Sequence, residues 1–292
     1  MQTNVPSMTS GQQTKRFRKD RGATKWMVLI ALSFVALACV VPLAVLAVNA
    51  FKSTADYSSN GPLSLPTVLS LEGFVDFLNI VDFPVVLTNS IVISTFVALF
   101  GCLLSMLAGY AIGVGRVKGS MWIIGVFLLA TMLPQEALIY PLFYGFQSLG
   151  LLNSSWSVII VFSVLQGAFG TYLLSSVMGT IPAALLEAAQ LDGASRWKIL
   201  WSIVFPLVRP TLGVLMVFFF IWTWNEFYIP LVLLSQQSAQ TVPIAIATLK
   251  GQNSMNVVAM NAGALLSILP TLLFFVVFQR TLTRGVAVGA VK

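Results

Sequence analysis

The stretch from Phe83 to Gly115, FPVVLTNSIVISTFVALFGCLLSMLAGYAIGVG, contains no aspartate, glutamate, lysine or arginine. A helix needs about 20 predominantly apolar residues to cross the hydrocarbon core of a bilayer. The whole chain has the same character, because 58% of its 292 residues are hydrophobic and only 9% are charged, whereas a soluble domain carries about 25% charged residues. The stretch therefore predicts a membrane-spanning α-helix in an integral membrane protein.

Five further apolar runs surround this stretch. One of them is interrupted by Glu136 and another contains Glu226. The runs are Trp26 to Phe51, a third span that begins at Gly119 and ends beyond Glu136, Trp156 to Met178, Pro210 to Leu234, and Ala259 to Gln279. Together they predict an all-α membrane protein with six transmembrane helices.

The basic residues indicate the orientation of the chain, because short cytoplasmic segments are enriched in lysine and arginine. If the N-terminus is cytoplasmic, fourteen of the sixteen basic residues fall on the cytoplasmic side, and only Lys52 and Lys250 fall outside. Both termini are then cytoplasmic, and residues 52–84 form an external loop. The net charge of +7 is explained by this segregation and by contact with membrane lipid, so nucleic-acid binding is not expected.

Several kinds of chemistry are excluded by composition. The chain has no histidine, so a Ser-His-Asp or Cys-His nucleophile system cannot form. No glycine is followed by lysine, which excludes an ATP-binding loop of the Walker type. The only cysteines, Cys39 and Cys102, lie in predicted spans. We therefore expect no catalytic residue, no metal site and no cofactor bound by this chain.

The segment EAAQLDGASRWKILWSIVFP, residues 187–206, mixes charged residues with helix signals between two apolar regions. Thr180, Pro182 and Glu187 predict a helix start. Gly193 can adopt the left-handed conformation that ends a helix, and Ser195 can cap a second helix from about Arg196 to Pro206. Such a helix pair could bind lipid headgroups through its tryptophans or dock into a protein groove, and the pattern alone does not separate the two.

The same segment resembles the signature loop of the permease subunits of ABC importers. That loop has Glu-Ala-Ala, a glycine four residues later, and a distal apolar residue and proline; here they are Glu187, Ala188, Ala189, Gly193, Ile203 and Pro206, with Asp192 before the glycine. Phe205 stands where leucine is more usual. The resemblance implies that residues of about 179–209 form the cytoplasmic coupling loop, whose coupling helix docks onto a cytoplasmic ATPase subunit.

Other segments resemble the carbohydrate-importer branch, namely the second permease of maltose-type systems. They are TNSIVIST at 88–95, GLLNSSWSVII at 150–160, WTWNEFYIPLVLL at 222–234 and FQRTLTRGVAVGAVK at 278–292. The resemblance implies a type I importer permease fold over residues 85–292, preceded by a basic cytoplasmic tail at 1–25, a first helix at 26–51 and the external loop at 52–84, and ending in a cytoplasmic tail at 280–292.

The resemblance also implies the partners. They are a second, homologous permease in a heterodimer, two ATPase subunits that bind ATP and Mg²⁺, and an extracytoplasmic solute-binding protein, all at a prokaryotic cell membrane. The expected function is ATP-driven import of a sugar by alternating access, with no enzymatic activity in this chain. A permease for a polyamine or peptide, and a membrane subunit that recruits a partner without transporting a solute, remain the alternatives.

Two acidic residues in predicted spans are candidates for the substrate pathway, because an acid within a membrane is costly and therefore usually functional. Glu136 and Glu226 each lie 16 residues beyond a span start, at Ser120 and Pro210, or about 24 Å along a helix, which places both near the outer interface. Trp224, Asn225 and Tyr228 flank Glu226 and offer aromatic and hydrogen-bonding groups that suit a sugar, although they also suit an interfacial aromatic belt.

Overall fold

A computed structural model describes the backbone of residues 21–115, 117–249 and 256–290, and the side chains of residues 25–115, 117–249 and 256–279. Most of the predicted N-terminal tail, together with Arg116, Lys250 and Lys292, lies outside the described residues.

The described backbone is helical and contains no strand. Its helices are α1 (Arg21–Ala50), α2 (Thr54–Asn60), α3 (Glu72–Ile80), α4 (Phe83–Gly113), α5 (Ser120–Met132), α6 (Gln135–Ser148), α7 (Ser155–Met178), α8 (Ala183–Leu191), α9 (Arg196–Ile199), α10 (Phe205–Trp224), α11 (Tyr228–Leu233), α12 (Val242–Thr248) and α13 (Val257–Ala290). A π-helical turn at Leu200–Val204 joins α9 to α10, and a short 3₁₀ turn lies at Gln237–Ala239. The predicted all-α class is confirmed.

Five helical segments of the described chain are long and apolar enough to cross a membrane. They are Lys25–Ala50, Phe83–Gly113, Ser155–Met178, Arg196–Trp224 and Val257–Gln279. A sixth span results if α5 and α6, which meet at a bend of 95°, are counted as one. Pro134 lies at this bend, with Leu133 in an extended conformation, because proline disfavours helical backbone in the residue before it.

Helices α4, α7 and α10 form the centre of the bundle through small residues. A Cβ atom at Gly109 would lie 3.0 Å from the side chain of Leu174, and one at Gly170 would overlap Ser105. Phe219 of α10 is fully buried beside them. Small residues let helix backbones approach closely in lipid, where packing rather than the hydrophobic effect holds helices together.

The helix after Ser195 does not stop at Pro206 as the sequence predicts. The helical backbone continues from Arg196 to Trp224 through the π turn, in which the N–H of Phe205 bonds to the carbonyl of Leu200. A π turn shifts the hydrogen-bond register by one residue, so Pro206, which lacks an N–H, falls in the first turn of α10, which begins at Phe205. First-turn positions of a helix tolerate proline.

The predicted span from Pro210 to Leu234 is likewise interrupted. Helix α10 ends at Trp224, and α11 begins at Tyr228, which leaves Glu226 in the break. Pro230 accounts for the break, because a proline ring clashes with the carbonyl four residues earlier in a continuous helix, here that of Glu226. Asn225 also donates its side-chain amide to the carbonyl of Ile221 at 2.7 Å.

One smaller expectation differs from the structure. Thr180 does not cap α8, because its hydroxyl donates to the carbonyl of Val177 at 2.7 Å, at the end of the preceding helix. The predicted C-terminal tail has a helical backbone as far as it is described, since α13 runs without a break from Val257 to Ala290. Helical backbone hydrogen bonds do not require the side chains to be apolar, so the helix continues beyond the apolar run.

The predicted external loop contains α2 and α3 and has a buried polar interior. We call residues 49–72 the Lys52 segment. The Lys52 side chain is fully buried and donates to the carbonyl of Gly61 at 2.7 Å and the hydroxyl of Ser64 at 2.9 Å. Asp56 accepts from the Asn60 side chain at 2.6 Å and from the backbone N–H of Thr67 at 3.1 Å. These hydrogen bonds hold the pKa of Asp56 below its usual range, and Lys52 adds to the effect.

Candidate functional site

The first candidate region is the Gly193 segment, residues 179–209. Gly193 has φ +77°, which confirms the left-handed conformation that the sequence predicts. The N–H of Ala194 bonds to the carbonyl of Ala189, and the N–H of Gly193 bonds to that of Gln190, both at 3.0 Å. This pair of hydrogen bonds is the Schellman motif, which ends α8 at a defined angle.

The turn between α8 and α9, which we call the corner, is also fixed on the α9 side as predicted. Ser195 accepts a hydrogen bond from the N–H of Lys198 at 3.3 Å, so it caps α9. The hydroxyl of Tyr110, near the end of α4, donates to the carbonyl of Arg196 at 3.1 Å. Ile199 and Leu200 are buried in the central apolar cluster. The corner is therefore fastened to the bundle on one side.

The other side of the corner is open. Glu187, Ala188, Asp192 and Gly193 are exposed, and nothing lies within 4 Å of the position of a Cβ on Gly193. Of the remaining three predicted site residues of this segment, Ala189 and Ile203 are half-buried against the central cluster, whereas Pro206 is exposed.

Large apolar residues accompany these charges on the open side. Leu191 is 89% exposed, and Trp197 and Trp201 are also exposed. Arg196 and Lys198 are exposed beside them. A surface that combines apolar side chains with charges of both signs has the composition of a helix that docks into a protein groove, and the tryptophans also suit a lipid interface.

The second candidate region is a cavity of about 290 Å³ between α5, α6, α7 and α10. Its polar lining consists of Thr131, Gln135, Gln166 and Glu226, and its aromatic lining of Phe162, Phe169 and Trp222. Among the described residues that line it, none is lysine or arginine.

Glu226 is half-buried in this cavity and is held in place by α6. The side-chain amide of Gln135 donates to Glu226 Oε1 at 3.1 Å. The bend at Pro134 brings Gln135 to this position, because α6 leaves the direction of α5 immediately after it. The bent helix pair is thereby linked to the break between α10 and α11.

Gln166 of α7 lies nearby in the cavity lining. It is buried, and its Nε2 donates to the hydroxyl of Thr223 at 2.9 Å. Its Oε1 is buried and has no hydrogen-bond partner among the described residues. An amide oxygen in this situation costs free energy unless a water molecule or a ligand donates to it.

The cavity lies beside the middle of α7 and the end of α10, where Gln166 bonds to Thr223, and the depth expected for Glu226 stays a prediction. Gln166 and Phe169 line it from the middle third of the 24-residue helix α7, and Phe162 lines it from the end of the first third. The helical backbone begins at Arg196, earlier than the predicted start at Pro210, and it ends at Trp224, two residues before Glu226.

The other predicted pathway residues lie outside the cavity lining. Glu136 is exposed on the first turn of α6, and Tyr228 is exposed at the start of α11. Trp224 is buried and stacks on Phe220 with ring centroids 5.9 Å apart. Asn225 is exposed and bonds to its own helix. Only Glu226 of the predicted set contributes to the cavity.

Sequence reasoning missed Gln166 as a site residue. The signal was available, since a glutamine in the middle of an uncharged predicted span is an intramembrane polar residue like the two glutamates. Within the described residues, no three His, Cys, Asp or Glu side chains lie close enough to hold a metal ion.

Comparison with known proteins adds to this geometry. The family model described as "Binding-protein-dependent transport system inner membrane component" matches residues 101–288. The arabinooligosaccharides transport system permease protein AraQ of Halalkalibacterium halodurans is 31% identical over 281 residues, which cover 94% of this chain and 99% of AraQ. The probable starch degradation products transport system permease protein AmyC of Thermoanaerobacterium thermosulfurigenes is 29% identical over 251 residues, which cover 86% and 91%.

A solved structure is also similar. It is the crystal structure of a bacterial ABC transporter involved in the import of the acidic polysaccharide alginate. One of its chains superposes with a TM-score of 0.75 at 21% identity, covering 91% of this chain and 99% of that one.

Proposed function

Because the chain belongs to the family of binding-protein-dependent transport system inner membrane components, we propose that it is the permease subunit of an ATP-driven importer that carries a sugar or a related polyol. The relatives AraQ and AmyC are permeases for arabinooligosaccharides and starch degradation products, which supports a saccharide as the substrate class. The chain itself is a membrane subunit and not an enzyme.

The arrangement in the membrane is six spans with both termini in the cytoplasm. The bent pair of α5 and α6 counts as the third span, which supplies the sixth crossing. With this count the Gly193 segment, rich in basic residues, lies on the same side as the basic N-terminal residues, as the positive-inside rule requires. The membrane is that of a prokaryotic cell, in keeping with the sources of the relatives.

The observation that carries the proposal is the corner at Gly193. It is built by a Schellman motif and a capped helix, fastened to the bundle through Tyr110, and open on its other side. A rigid corner of this kind can transmit a displacement from a docked partner into α10, since the helical backbone continues from Arg196 to Trp224. We assign contact with an ATPase subunit to the open side.

The complete transporter contains this chain, a second and homologous permease as a heterodimer partner, two ATPase subunits and an extracytoplasmic solute-binding protein. ATP and Mg²⁺ bind to the ATPase subunits. The contact surface with the ATPase subunits comprises Glu187, Ala188, Asp192 and Gly193. Ala189 and Ile203 connect the corner to the bundle, and Pro206 lies in the first turn of the helix that follows.

Two measurements test the proposal. Deletion of the gene in its native host should abolish uptake of labelled arabinooligosaccharide or maltooligosaccharide, and the intact gene should restore it. Gentle solubilisation of the tagged chain should co-purify an ATPase subunit and a second permease. Unchanged uptake of both sugars, with loss of peptide or polyamine uptake, would contradict the sugar assignment. Co-purification of an unrelated partner alone would contradict the permease assignment.

A further inference from the structure

We propose that residues 61–71 of the Lys52 segment, GPLSLPTVLSL, insert into the headgroup region of the outer leaflet and anchor the end of the first span in lipid. We call these residues the leucine stretch. The inference goes beyond the proposed function and rests on it only for the side of the membrane, since the proposed arrangement of the spans makes this segment external.

The leucine stretch is apolar and exposed. Its large apolar side chains are between 63% and 85% exposed, and they are Leu63, Leu65, Val68, Leu69 and Leu71. The stretch contains no charged residue, and the charged side chains that precede it in the segment are buried. An exposed apolar patch of this kind marks a contact with another protein or with a membrane.

The leucine stretch is held at the outer end of the first span. The side-chain amide of Asn49, in the last turn of α1, donates to the carbonyl of Pro62 at 3.0 Å, and the N–H of Ser70 bonds to the carbonyl of Phe51 at 2.9 Å. The apolar part of α1, Lys25–Ala50, has 26 residues, or about 39 Å of helix. This length exceeds the roughly 30 Å of hydrocarbon and approaches the roughly 40–45 Å that includes the headgroups. Both ends of the stretch therefore lie at the level of the headgroups.

The backbone of the leucine stretch has partners for several of its polar groups within the segment. Lys52 donates to the carbonyl of Gly61 at 2.7 Å, and Asp56 accepts from the N–H of Thr67 at 3.1 Å. The two prolines of the stretch have no N–H to satisfy. Irregular backbone is tolerated next to lipid only where its polar groups find partners in the protein. Contact with lipid therefore accounts for a lysine and an aspartate that are buried in an external loop.

Helix α2 supplies the polar surface of the same segment. Its exposed residues include Thr54, Ser58, Ser59 and Asn60. An element that lies in a membrane interface has an apolar surface for the acyl chains and a polar surface for water. We expect the leucine stretch to face the lipid and α2 to face the water.

The composition of the stretch favours lipid over a protein partner. Apart from two prolines and a glycine it consists of leucine, valine, serine and threonine, which are under-represented among the residues that dominate protein–protein binding. It has no aromatic residue and no arginine, which such interfaces favour. Because it also has no basic side chain to attract anionic headgroups, the contact depends on apolar burial and not on charge.

Collision measurements on spin labels test this inference in the complete permease–ATPase complex, in nanodiscs of zwitterionic lipid. The exposed Cys39 is removed by Cys39→Ser, and Cys102 is buried. Nitroxide labels are attached to Leu65→Cys and Leu69→Cys. Collisions with oxygen, which concentrates in lipid, are compared with collisions with a neutral nickel complex, which stays in water. Ser59→Cys, at an exposed position of α2, is the matched control.

The labels at residues 65 and 69 should lose collisions with the nickel complex and keep those with oxygen, and the control label should show the reverse. Addition of anionic lipid should leave this pattern unchanged. Lys52→Met should restore nickel collisions at residue 65, because it removes the donor to the carbonyl of Gly61. Lys118→Met, at an exposed lysine, should not.

The outcomes separate this inference from the proposed function. Frequent nickel collisions at both labels would mean that the stretch faces water, and loss of collisions with both reagents would mean that another subunit covers it; either result would overturn the inference. Insertion that requires anionic lipid would overturn it as well. Sugar uptake that depends on the intact gene would leave the proposed function standing in each case. If Lys52→Met fails to assemble, the labels in the unsubstituted segment still decide.

Discussion

The Lys52 segment precedes α4 in the chain, and the Gly193 segment contacts the far end of α4 through Tyr110. The two segments differ in whether their charged side chains are buried or exposed. In the Lys52 segment, the Lys52 and Asp56 side chains are buried and bonded to the same segment. In the Gly193 segment, the side chains of Glu187 and Asp192 are exposed. A buried charge is tolerated only when it is paired or hydrogen-bonded, and both buried charges of the first segment have their hydrogen-bond partners within it. The second is ordered by its backbone and leaves its side chains available to a partner.

The strongest way to break this contrast is Gly193→Val. Nothing lies near a Cβ at this position, so the substitution affects only the left-handed backbone, at a cost of about 1–3 kcal/mol. We expect sugar uptake and co-purification of the ATPase subunits to fall about tenfold or more, while membrane insertion is kept. Gly193→Asn is the control, because asparagine tolerates this conformation. Equal loss in both variants would argue against a backbone effect.

A second substitution acts on the Lys52 segment. Lys52→Met removes the donor to Gly61 and Ser64 and should destabilise this segment by about 1.5–3 kcal/mol, the value of hydrogen bonds to a charged group. Faster protease cleavage within residues 61–71 would report the change. Lys118→Met, at an exposed lysine, should leave cleavage unchanged. Sugar uptake should fall less than in Gly193→Val, since the segment contributes no group to the corner.

A third substitution tests how much the cap of α9 contributes to the corner. Ser195→Ala removes the cap of α9 and should cost about 1 kcal/mol, which corresponds to an association of the ATPase subunits weaker by about fivefold. Ser195→Asp, which can also accept from the N–H of Lys198, should keep the affinity. The measurement is a titration of detergent-solubilised permease with labelled ATPase subunit. An alanine variant of full affinity would mean that Tyr110 and the buried residues hold α9 without the cap.

The smallest expected effect is the pH dependence of the Lys52 segment. The pKa of Asp56 is lowered by the hydrogen bonds from Asn60 and Thr67, so its contribution to stability is fully present above the unfolded pKa of about 3.9. It is lost as the pH falls through the lower folded pKa. Hydrogen-exchange protection of the Thr67 amide should decline over that range. Asp56→Asn should remove the decline, and an identical decline in that variant would assign it to another group.

Much of the fold is predictable because its signals are local. The apolar runs predict the spans, Gly193 predicts the left-handed corner, and Ser195 predicts the cap, since each depends on residues within a few positions along the chain. The path of the chain at Pro134 and at Pro206 was less predictable. At Pro134 the chain bends by 95°, whereas at Pro206 the helix continues after a π turn. The residues around the two prolines show no local pattern that predicts a bend at one and a continuous helix at the other.

The sequence by itself determined that the chain is helical, that it belongs in a membrane, and which family it resembles, because composition, hydrophobic length and a motif within one segment are properties of the chain before it folds. Only the tertiary structure decided which polar residues meet. Glu226, Gln135 and Gln166 come from three different helices and converge through the 95° bend and the break after Trp224. Such convergence depends on how helices pack against each other, which no local pattern contains.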